Sequence, residues 1–227
     1  MQIGILGTGV VGQTLAAALA EKGHSVTIGT RDPAATFARE SAKPPAKLAY
    51  RDWQRANPTV QLATFADAVR SADVVINATS GTGAMSALEG AGADALADRI
   101  LVDASNPLDF SKGMPPTLAV CNTDSLGEQI QRAFPRVRLV KALNTVTAAL
   151  MVNPGVVNGG DHTLFLCGND ADAKATVKQW LGEWFGWRDI VDLGDVTWAR
   201  GMEMYLPIWL RTWGAVGSPM FNVKIVR

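Results

Sequence analysis

Residues that often carry chemistry on their own are scarce in this sequence. Of its 227 residues only two are cysteines, Cys121 and Cys167, and only two are histidines, His24 and His162. The cysteines lie far apart and outside any C-x-x-C pattern, so each is expected to be a buried, reduced thiol. The histidines stand beside glycine or turn residues, without the spacing of a metal site, and are expected at the surface. We therefore expect neither a disulfide framework nor a bound metal.

No charge of one sign dominates the sequence, and no apolar run is long. Lys plus Arg equals Asp plus Glu at 21 each, so we expect no nucleic-acid partner, which normally requires a basic excess. No stretch approaches the roughly 18 to 20 apolar residues of a membrane span. Met1 leads into an apolar run with no basic leader, so we expect no signal peptide, no membrane contact and a cytoplasmic location. The zero net charge is compatible with a homodimer.

What the sequence contains is an alternation of short apolar runs with helical spacing. The apolar runs predict strands at residues 3–6, 26–29, 74–77, 100–103, 138–142 and 163–167. Helical patterns begin near Val11 and end at Gly23, then recur at residues 34–40, 65–70, 126–134 and 171–184. Strands that are apolar at almost every position are typical of a sheet covered on both faces. The order predicts an α/β fold, a Rossmann-type, doubly wound and mostly parallel sheet.

The composition changes after Asn144. Six of the seven tryptophans fall between Trp180 and Trp213, where core and interface packing is their expected role. We therefore divide the chain into a dinucleotide-binding domain over residues 1–146 and a smaller C-terminal α/β domain over residues 147–227. The apolar run at residues 205–210 is expected in a subunit contact. Residues 32–58 are interrupted by prolines, and we expect a surface excursion there that carries Trp53.

A glycine-rich motif follows the first predicted strand and opens the first predicted helix. Its residues match G-x-G-x-x-G and are Gly7, Thr8, Gly9, Val10, Val11 and Gly12. In this context the first glycine makes a tight turn, the second lets the backbone approach a pyrophosphate, and the third lets helix and strand pack closely. The free N–H groups of the first helical turn and the positive end of its dipole would then face the phosphates.

The end of the second strand predicts which dinucleotide binds. An NAD site usually has Asp or Glu there to accept hydrogen bonds from the ribose 2′-OH, whereas this chain has Thr30 and Arg31. A guanidinium and a hydroxyl suit a 2′-phosphate instead. Asp32 precedes Pro33 and is expected to cap the next helix. We therefore predict NADP as the cofactor.

Three later strands end in small and polar residues, and ligands in open α/β sheets lie beyond such strand ends. The candidate cleft residues are Ala78, Thr79 and Ser80, then Ala104, Asn106 and Pro107, and finally Asn144 and Thr145. For each polar group a turn or capping role remains the alternative.

Acid–base groups are few. No Ser/His/Asp arrangement is present, and Tyr50 lacks the Lys four residues later that short-chain reductases use. Hydride transfer between two planar rings requires mainly positioning, whereas reduction of a ketone requires a proton donor. The sequence therefore favours a reaction between two cofactors, with Lys141 as the candidate acid if that interpretation is wrong.

Taken together, these residues resemble the NADPH-dependent reductases of coenzyme F420, a deazaflavin. The resemblance covers nearly the whole chain and rests on residues 7–12, 29–31, 77–79, 106–107, 141–145 and 221–225. It implies that the deazaflavin enters a cleft against the nicotinamide, with Asn144 and Thr145 as catalytic candidates and with Asn144 and Phe221 facing the second ring. Established members tend to have His at the position of Asn144. An NADPH-dependent flavin or ferric reductase, and a non-catalytic NADP-binding redox sensor, are the alternatives.

Overall fold

The computed structural model of the chain describes residues 1–40 and 48–226. Eight strands form one sheet in the order β10-β9-β8-β5-β4-β1-β2-β3, and two short strands form a separate hairpin. In chain order the strands are β1 (Gln2–Leu6), β2 (Ser25–Thr30), β3 (Gln61–Thr64), β4 (Val74–Asn77), β5 (Ile100–Asp103), β6 (Leu108–Asp109), β7 (Thr117–Leu118), β8 (Arg138–Ala142), β9 (Thr163–Cys167) and β10 (Asp189–Asp192).

Helices cover both faces of the main sheet. They are α1 (Val10–Glu21), α2 (Pro33–Ala38), α3 (Tyr50–Ala56), α4 (Phe65–Arg70), α5 (Gly81–Ala91), α6 (Ala93–Leu96), α7 (Leu126–Ala133), α8 (Ala148–Val152), α9 (Ala171–Phe185), α10 (Ala199–Met204) and α11 (Leu206–Val216). Neighbouring strands pair in parallel except β8 and β9, which pair antiparallel. The predicted mostly parallel Rossmann-type fold is confirmed.

The core has two layers, one on each side of the sheet. One side packs β1, β2 and β8 residues against α1, α8 and α9, and the other packs Leu6, Leu101 and Leu139 against α4, α5 and α7. Side chains alternate between faces along each strand, so a strand buried on both sides must be apolar at nearly every position. The six predicted strands agree with the observed ones within one residue at each end.

The last third of the chain continues the same sheet. β9 pairs with β8 and β10 with β9, so the proposed boundary at residue 146 falls between neighbouring strands and stays a prediction. Helix α11 buries only Leu206 and Trp209 and exposes Ile208, Trp213 and Val216. The homodimer contact expected at residues 205–210 stays a prediction. Within the described ranges no helix has the length and apolar character that a bilayer crossing requires.

Three expectations were wrong in detail. The predicted surface excursion after residue 32 contains a packed helix, α3, in which Tyr50 is buried. It packs because aromatic residues at helical spacing dock on the core. Residues 41–47 of the predicted excursion lie outside the described residues. Cys121 is exposed, although Cys167 is buried. His162 is buried because its two ring nitrogens find partners in the Pro154 carbonyl and the Asn222 amide.

Candidate active site

The carboxyl ends of the parallel strands meet at one edge of the sheet. Leu6, Asn77, Asp103 and Lys141 lie in register on four neighbouring strands. The residues that immediately follow these strands are the ones singled out in the sequence, so the fold brings the three predicted strand-end groups to the same edge. Ligands in open α/β sheets bind at such an edge.

The glycine turn after β1 has a backbone that few other residues could adopt. Gly7 has a φ of +118°, and a Cβ there would lie 2.6 Å from the carbonyl oxygen of Ala78. A Cβ at Gly12 would lie 2.0 Å from the carbonyl oxygen of Gly7. These two glycines therefore hold strand and helix together at a separation that a side chain would prevent.

Gly9 differs from the other two glycines. Its φ of −78° is ordinary, and a Cβ there would meet no described atom within 4 Å. It is the N-cap of α1, and in the described part of the chain no side chain accepts a hydrogen bond at that cap. The Gln13 side chain instead donates to the Thr8 carbonyl oxygen at 2.9 Å, which braces the turn from within. The turn thus leaves open space and unpaired N–H groups at the start of a 12-residue helix.

Thr30 and Arg31 lie beside this turn, because the Gly7 N–H donates to the Gly29 carbonyl oxygen. Thr30 is 9% exposed and its hydroxyl lies 3.0 Å from that of Thr36. Arg31 is exposed, and within residues 1–40 and 48–226 it makes no ion pair or hydrogen bond. Asp32 caps α2, as predicted, by accepting from the Ala35 N–H.

A cavity of about 190 Å³ lies at the carboxyl ends of β4 and β5, beside the start of α1. Its lining comes from the start of α1, the residues after β4 and β5, the start of α5 and the β6 segment, and consists of Val11, Ala78, Thr79, Ser80, Gly81, Thr82, Ala104, Ser105, Asn106, Leu108 and Phe110. The predicted Ala78, Thr79, Ser80, Ala104 and Asn106 all lie on its wall, and Pro107 packs directly behind Gly81. The sequence reasoning missed Thr82, Leu108 and Phe110; an aromatic residue three positions after Pro107 was the available signal.

Asn144 and Thr145 are nearly buried, at 3% and 2% exposure. The Asn144 amide nitrogen donates to the Asn106 side-chain oxygen at 3.0 Å and to the Met202 carbonyl. Its amide oxygen and the Thr145 hydroxyl have no hydrogen-bond partner in the described structure. Buried polar atoms without partners are costly and uncommon, so these two atoms have hydrogen-bonding capacity that the described residues leave unused.

The residue before this pair has a strained backbone. Leu143 has a φ of +68° and is buried. A bulky residue in the left-handed region costs about 1–3 kcal/mol, and such strain concentrates at functional sites. The turn at Leu143 directs the chain from β8 across the sheet edge and sets the position of Asn144.

Phe221 lies in the final segment, which is fastened to the start of β9. Thr163 donates its N–H to the Val223 carbonyl oxygen at 2.9 Å, and the Asn222 side chain donates to the Thr163 carbonyl oxygen. The antiparallel register of β8 and β9 puts Thr163 at the same sheet edge as Asn144. The Phe221 ring stacks on Trp209 at a centroid distance of 5.5 Å.

A buried ion triad, which the sequence did not predict, lies behind this edge. The Lys141 ammonium contacts Asp103 at 2.8 Å and Glu203 at 2.7 Å, and all three side chains are at most 1% exposed. Burial alone would lower the pKa of Lys141, but the two carboxylates outweigh it and raise that pKa. The candidate acid Lys141 therefore stays charged and lies away from the cavity wall. The sequence signal that could have revealed the triad is a charged residue in each of two otherwise apolar strands, Asp103 in β5 and Lys141 in β8.

A solved structure resembles the chain over its whole length. It is a protein of Arthrobacter sp. FB24, provisionally named an F420-dependent NADP-reductase, with 57% identity, complete coverage of both chains and a TM-score of 0.94. Residues 2–107 also match the family described as NADP oxidoreductase, coenzyme F420-dependent. The chain belongs to this family. It is an NADP-dependent oxidoreductase, and the alternative of a non-catalytic sensor is set aside.

Two further matches are more distant from the chain. The chain is 29% identical over 216 residues to the metalloreductase STEAP3 of Rattus norvegicus, covering 92% of this chain but only 38% of that protein. A reductive aminase from Aspergillus terreus, solved with NADPH, has 15% identity and a TM-score of 0.63 over 95% of this chain and 62% of its own. This second likeness shows the fold alone. In the described residues no group of three or more His, Cys, Asp or Glu side chains is placed to hold a metal ion.

Proposed function

We propose that this family member binds NADPH along the Gly7–Gly12 turn and passes a hydride to a flat ring cofactor, most plainly coenzyme F420. One observation carries the acceptor half of this proposal. The Asn144 amide oxygen and the Thr145 hydroxyl are buried without partners at the sheet edge, where Asn144 joins the cavity residue Asn106. The full-length similarity to a protein named for F420 supports the same acceptor.

The residues at the turn fit a dinucleotide diphosphate. Gly9 leaves open the space that a Cβ would fill, and it is the N-cap of α1, where no described side chain accepts a hydrogen bond. Helix N-termini of this kind bind phosphates through their first N–H groups and the helix dipole. Arg31 would hold the 2′-phosphate, with Thr30 beside it, and the residues of β4 and β5 that line the cavity would border the nicotinamide half. NADPH would supply the hydride, and the residues of the chain would hold the two rings in position.

The acceptor side offers amide, hydroxyl and apolar groups. Asn144 would orient the second ring through its amide oxygen, and Thr145 would bind beside it. Phe221 and the tail segment would cover that ring and exclude water. Hydride transfer between two rings needs the reacting atoms about 3–3.5 Å apart, so fixed side chains matter more here than an acid. The absence of a general acid on the described cavity wall agrees with this requirement.

The fate of a deuterium label tests the acceptor directly. NADPH labelled at nicotinamide C4, on each face in turn, is reacted with F420, with FMN and with no acceptor. We expect the label to be retained on a carbon of reduced F420, because a C–D bond does not exchange with water. A flavin would instead receive it on nitrogen and lose it to solvent. Turnover of small ketones or imines, with none of F420 or flavins, would contradict the proposal.

The cofactor preference should depend on Arg31. Arg31→Ala is expected to weaken NADPH binding about ten- to a hundredfold, because a charge-assisted contact to the 2′-phosphate is lost. NADH binding should stay nearly unchanged, since NADH has no such phosphate. The measurement is the Kd of each cofactor by fluorescence titration, with Arg55→Ala as a control on the exposed face of α3. Equal affinities for NADPH and NADH in the unsubstituted protein would overturn this assignment.

A flavin or ferric reductase is the second candidate. The similarity to a metalloreductase over 92% of this chain favours it. Loss of label to water, together with faster oxidation of NADPH by FMN than by F420, would select this candidate over the first.

A further inference from the structure

The buried ion triad of Asp103, Lys141 and Glu203 has all its donors paired. The Lys141 ammonium has three N–H groups, and three acceptors surround it: Asp103, Glu203 and the Ser105 carbonyl oxygen at 2.8 Å. Glu203 also accepts the backbone N–H groups of Leu126 and Gly127 at the start of α7. With every donor occupied, the ammonium has a fixed hydrogen-bond partner in each direction, one of them an oxygen of Asp103.

Both oxygens of Asp103 accept hydrogen bonds from their neighbours, and this fixes how those neighbours are oriented. One oxygen of Asp103 takes Lys141. The other accepts the amide nitrogen of Asn77 at 2.8 Å and the hydroxyl of Ser105 at 2.7 Å. Asn77 is fully buried between these groups, so its NH₂ must face Asp103 and its oxygen must face the opposite way.

The Asn77 oxygen then fixes Thr79. It accepts the Thr79 hydroxyl at 2.7 Å and the Thr79 N–H at 3.3 Å. Since an amide oxygen cannot donate, the hydroxyl proton of Thr79 is committed to Asn77. Thr79 lies on the cavity wall, and the lone pairs of its hydroxyl are what remain for a ligand.

We infer that the ion triad, acting through Asn77, sets Thr79 as a hydrogen-bond acceptor towards the cofactor. Thr79 therefore binds a donor on the nicotinamide nucleoside, either a ribose hydroxyl or the carboxamide NH₂, and cannot bind the diphosphate, whose oxygens only accept. Asp103 is a positioning residue in this scheme, since it acts through Asn77. The inference rests on the proposed NADPH site and adds which part of the cofactor faces β4.

Binding measurements on three ligands test this polarity. Thr79→Val should weaken NADPH binding roughly two- to tenfold, the range of one neutral hydrogen bond, whereas Thr79→Ser should preserve it. The affinity for 2′-phosphoadenosine 5′-diphosphate, which has the phosphates but no nicotinamide nucleoside, should not change. If Thr79→Val also loses affinity for 2′-phospho-ADP-ribose, the donor is a ribose hydroxyl. If that affinity is unchanged, the donor is the carboxamide.

The relay itself is tested by a double-variant cycle. Asp103→Asn allows the Asn77 side-chain amide to flip, so it should weaken NADPH binding by the same factor as Thr79→Val. The double variant should bind NADPH no more weakly than either single variant. Asp170→Asn is the matched control, because it removes a carboxylate from an ion pair with Arg138 at the other end of β8, away from the triad and Asn77. It should leave NADPH affinity unchanged even if the melting temperature falls.

Any of three results would overturn the inference. The first is an unchanged NADPH affinity in Thr79→Val, and the second is an equal loss of affinity for 2′-phosphoadenosine 5′-diphosphate in that variant. The third is a double variant whose loss of NADPH affinity is the product of the two single losses. If Asp103→Asn does not fold, Asn77→Ala cuts the same relay and leaves the ion triad in place. Failure of the unsubstituted protein to bind NADPH would instead contradict the proposed function.

Discussion

Gly9→Val should abolish NADPH binding and leave the protein folded. The backbone of Gly9 has an ordinary φ of −78° and open space where a Cβ would lie, so valine fits the fold itself. That open space is where the diphosphate would approach the N–H groups of α1, and a branched side chain would fill it. Valine is a poorer N-cap than glycine, so only a small fall in the melting temperature is expected. Fluorescence titration with NADPH and a thermal melt measure the two effects.

Gly12→Val provides the comparison for this variant. A Cβ at Gly12 would lie 2.0 Å from the Gly7 carbonyl oxygen, so strand and helix must separate and the melting temperature should fall sharply. The two variants have the same chemical change three positions apart but opposite expected defects. If Gly9→Val bound NADPH with the original affinity, the diphosphate would lie elsewhere.

Lys141→Met should lower the free energy of unfolding by about 3–5 kcal/mol, because it leaves two buried carboxylates without a counter-charge. This is a large fraction of the roughly 5–15 kcal/mol that stabilises a typical domain. Urea denaturation followed by circular dichroism measures the change. Lys224→Met is the control: it breaks the exposed pair with Asp161, and exposed pairs contribute little, so its unfolding curve should nearly overlay the original.

The same experiment decides whether the triad contributes to stability or is only tolerated. If the urea midpoint of Lys141→Met were close to that of Lys224→Met, water or a proton would replace the lost ammonium with no loss in the free energy of unfolding. Methionine is close to lysine in volume, so packing changes would not obscure the comparison.

The central sheet could be predicted because burial on both faces leaves a continuous apolar run. The edge strands β3 and β10 could not. Three of the four residues of β3 are only half-buried, and β10 begins and ends in aspartate, so neither presents such a run. The glycine turn was predictable from its spacing, because the fold demands glycine at Gly7 and Gly12 for steric reasons that no other residue satisfies.

Other parts of the site depend on contacts between residues distant in the chain. The triad joins Asp103 and Lys141 of neighbouring strands to Glu203 of α10, and no local pattern links these three residues. The strained backbone of Leu143 was also hidden, since leucine rarely adopts a positive φ and gives no signal for it. The roles of Asn144, Thr145, Arg31 and Phe221 in binding stay predictions.

The fastening of the tail to β9 sets an order in which the site can form during synthesis. The Thr163 N–H pairs with Val223, and the Thr163 hydroxyl accepts the N–H of Ile225. A ribosome adds about 5–20 residues each second, so the glycine turn can be complete several seconds before these contacts exist. A nascent chain would therefore acquire the groups proposed to hold NADPH first, and the proposed cover over the second ring only after residues 223–225 leave the exit tunnel.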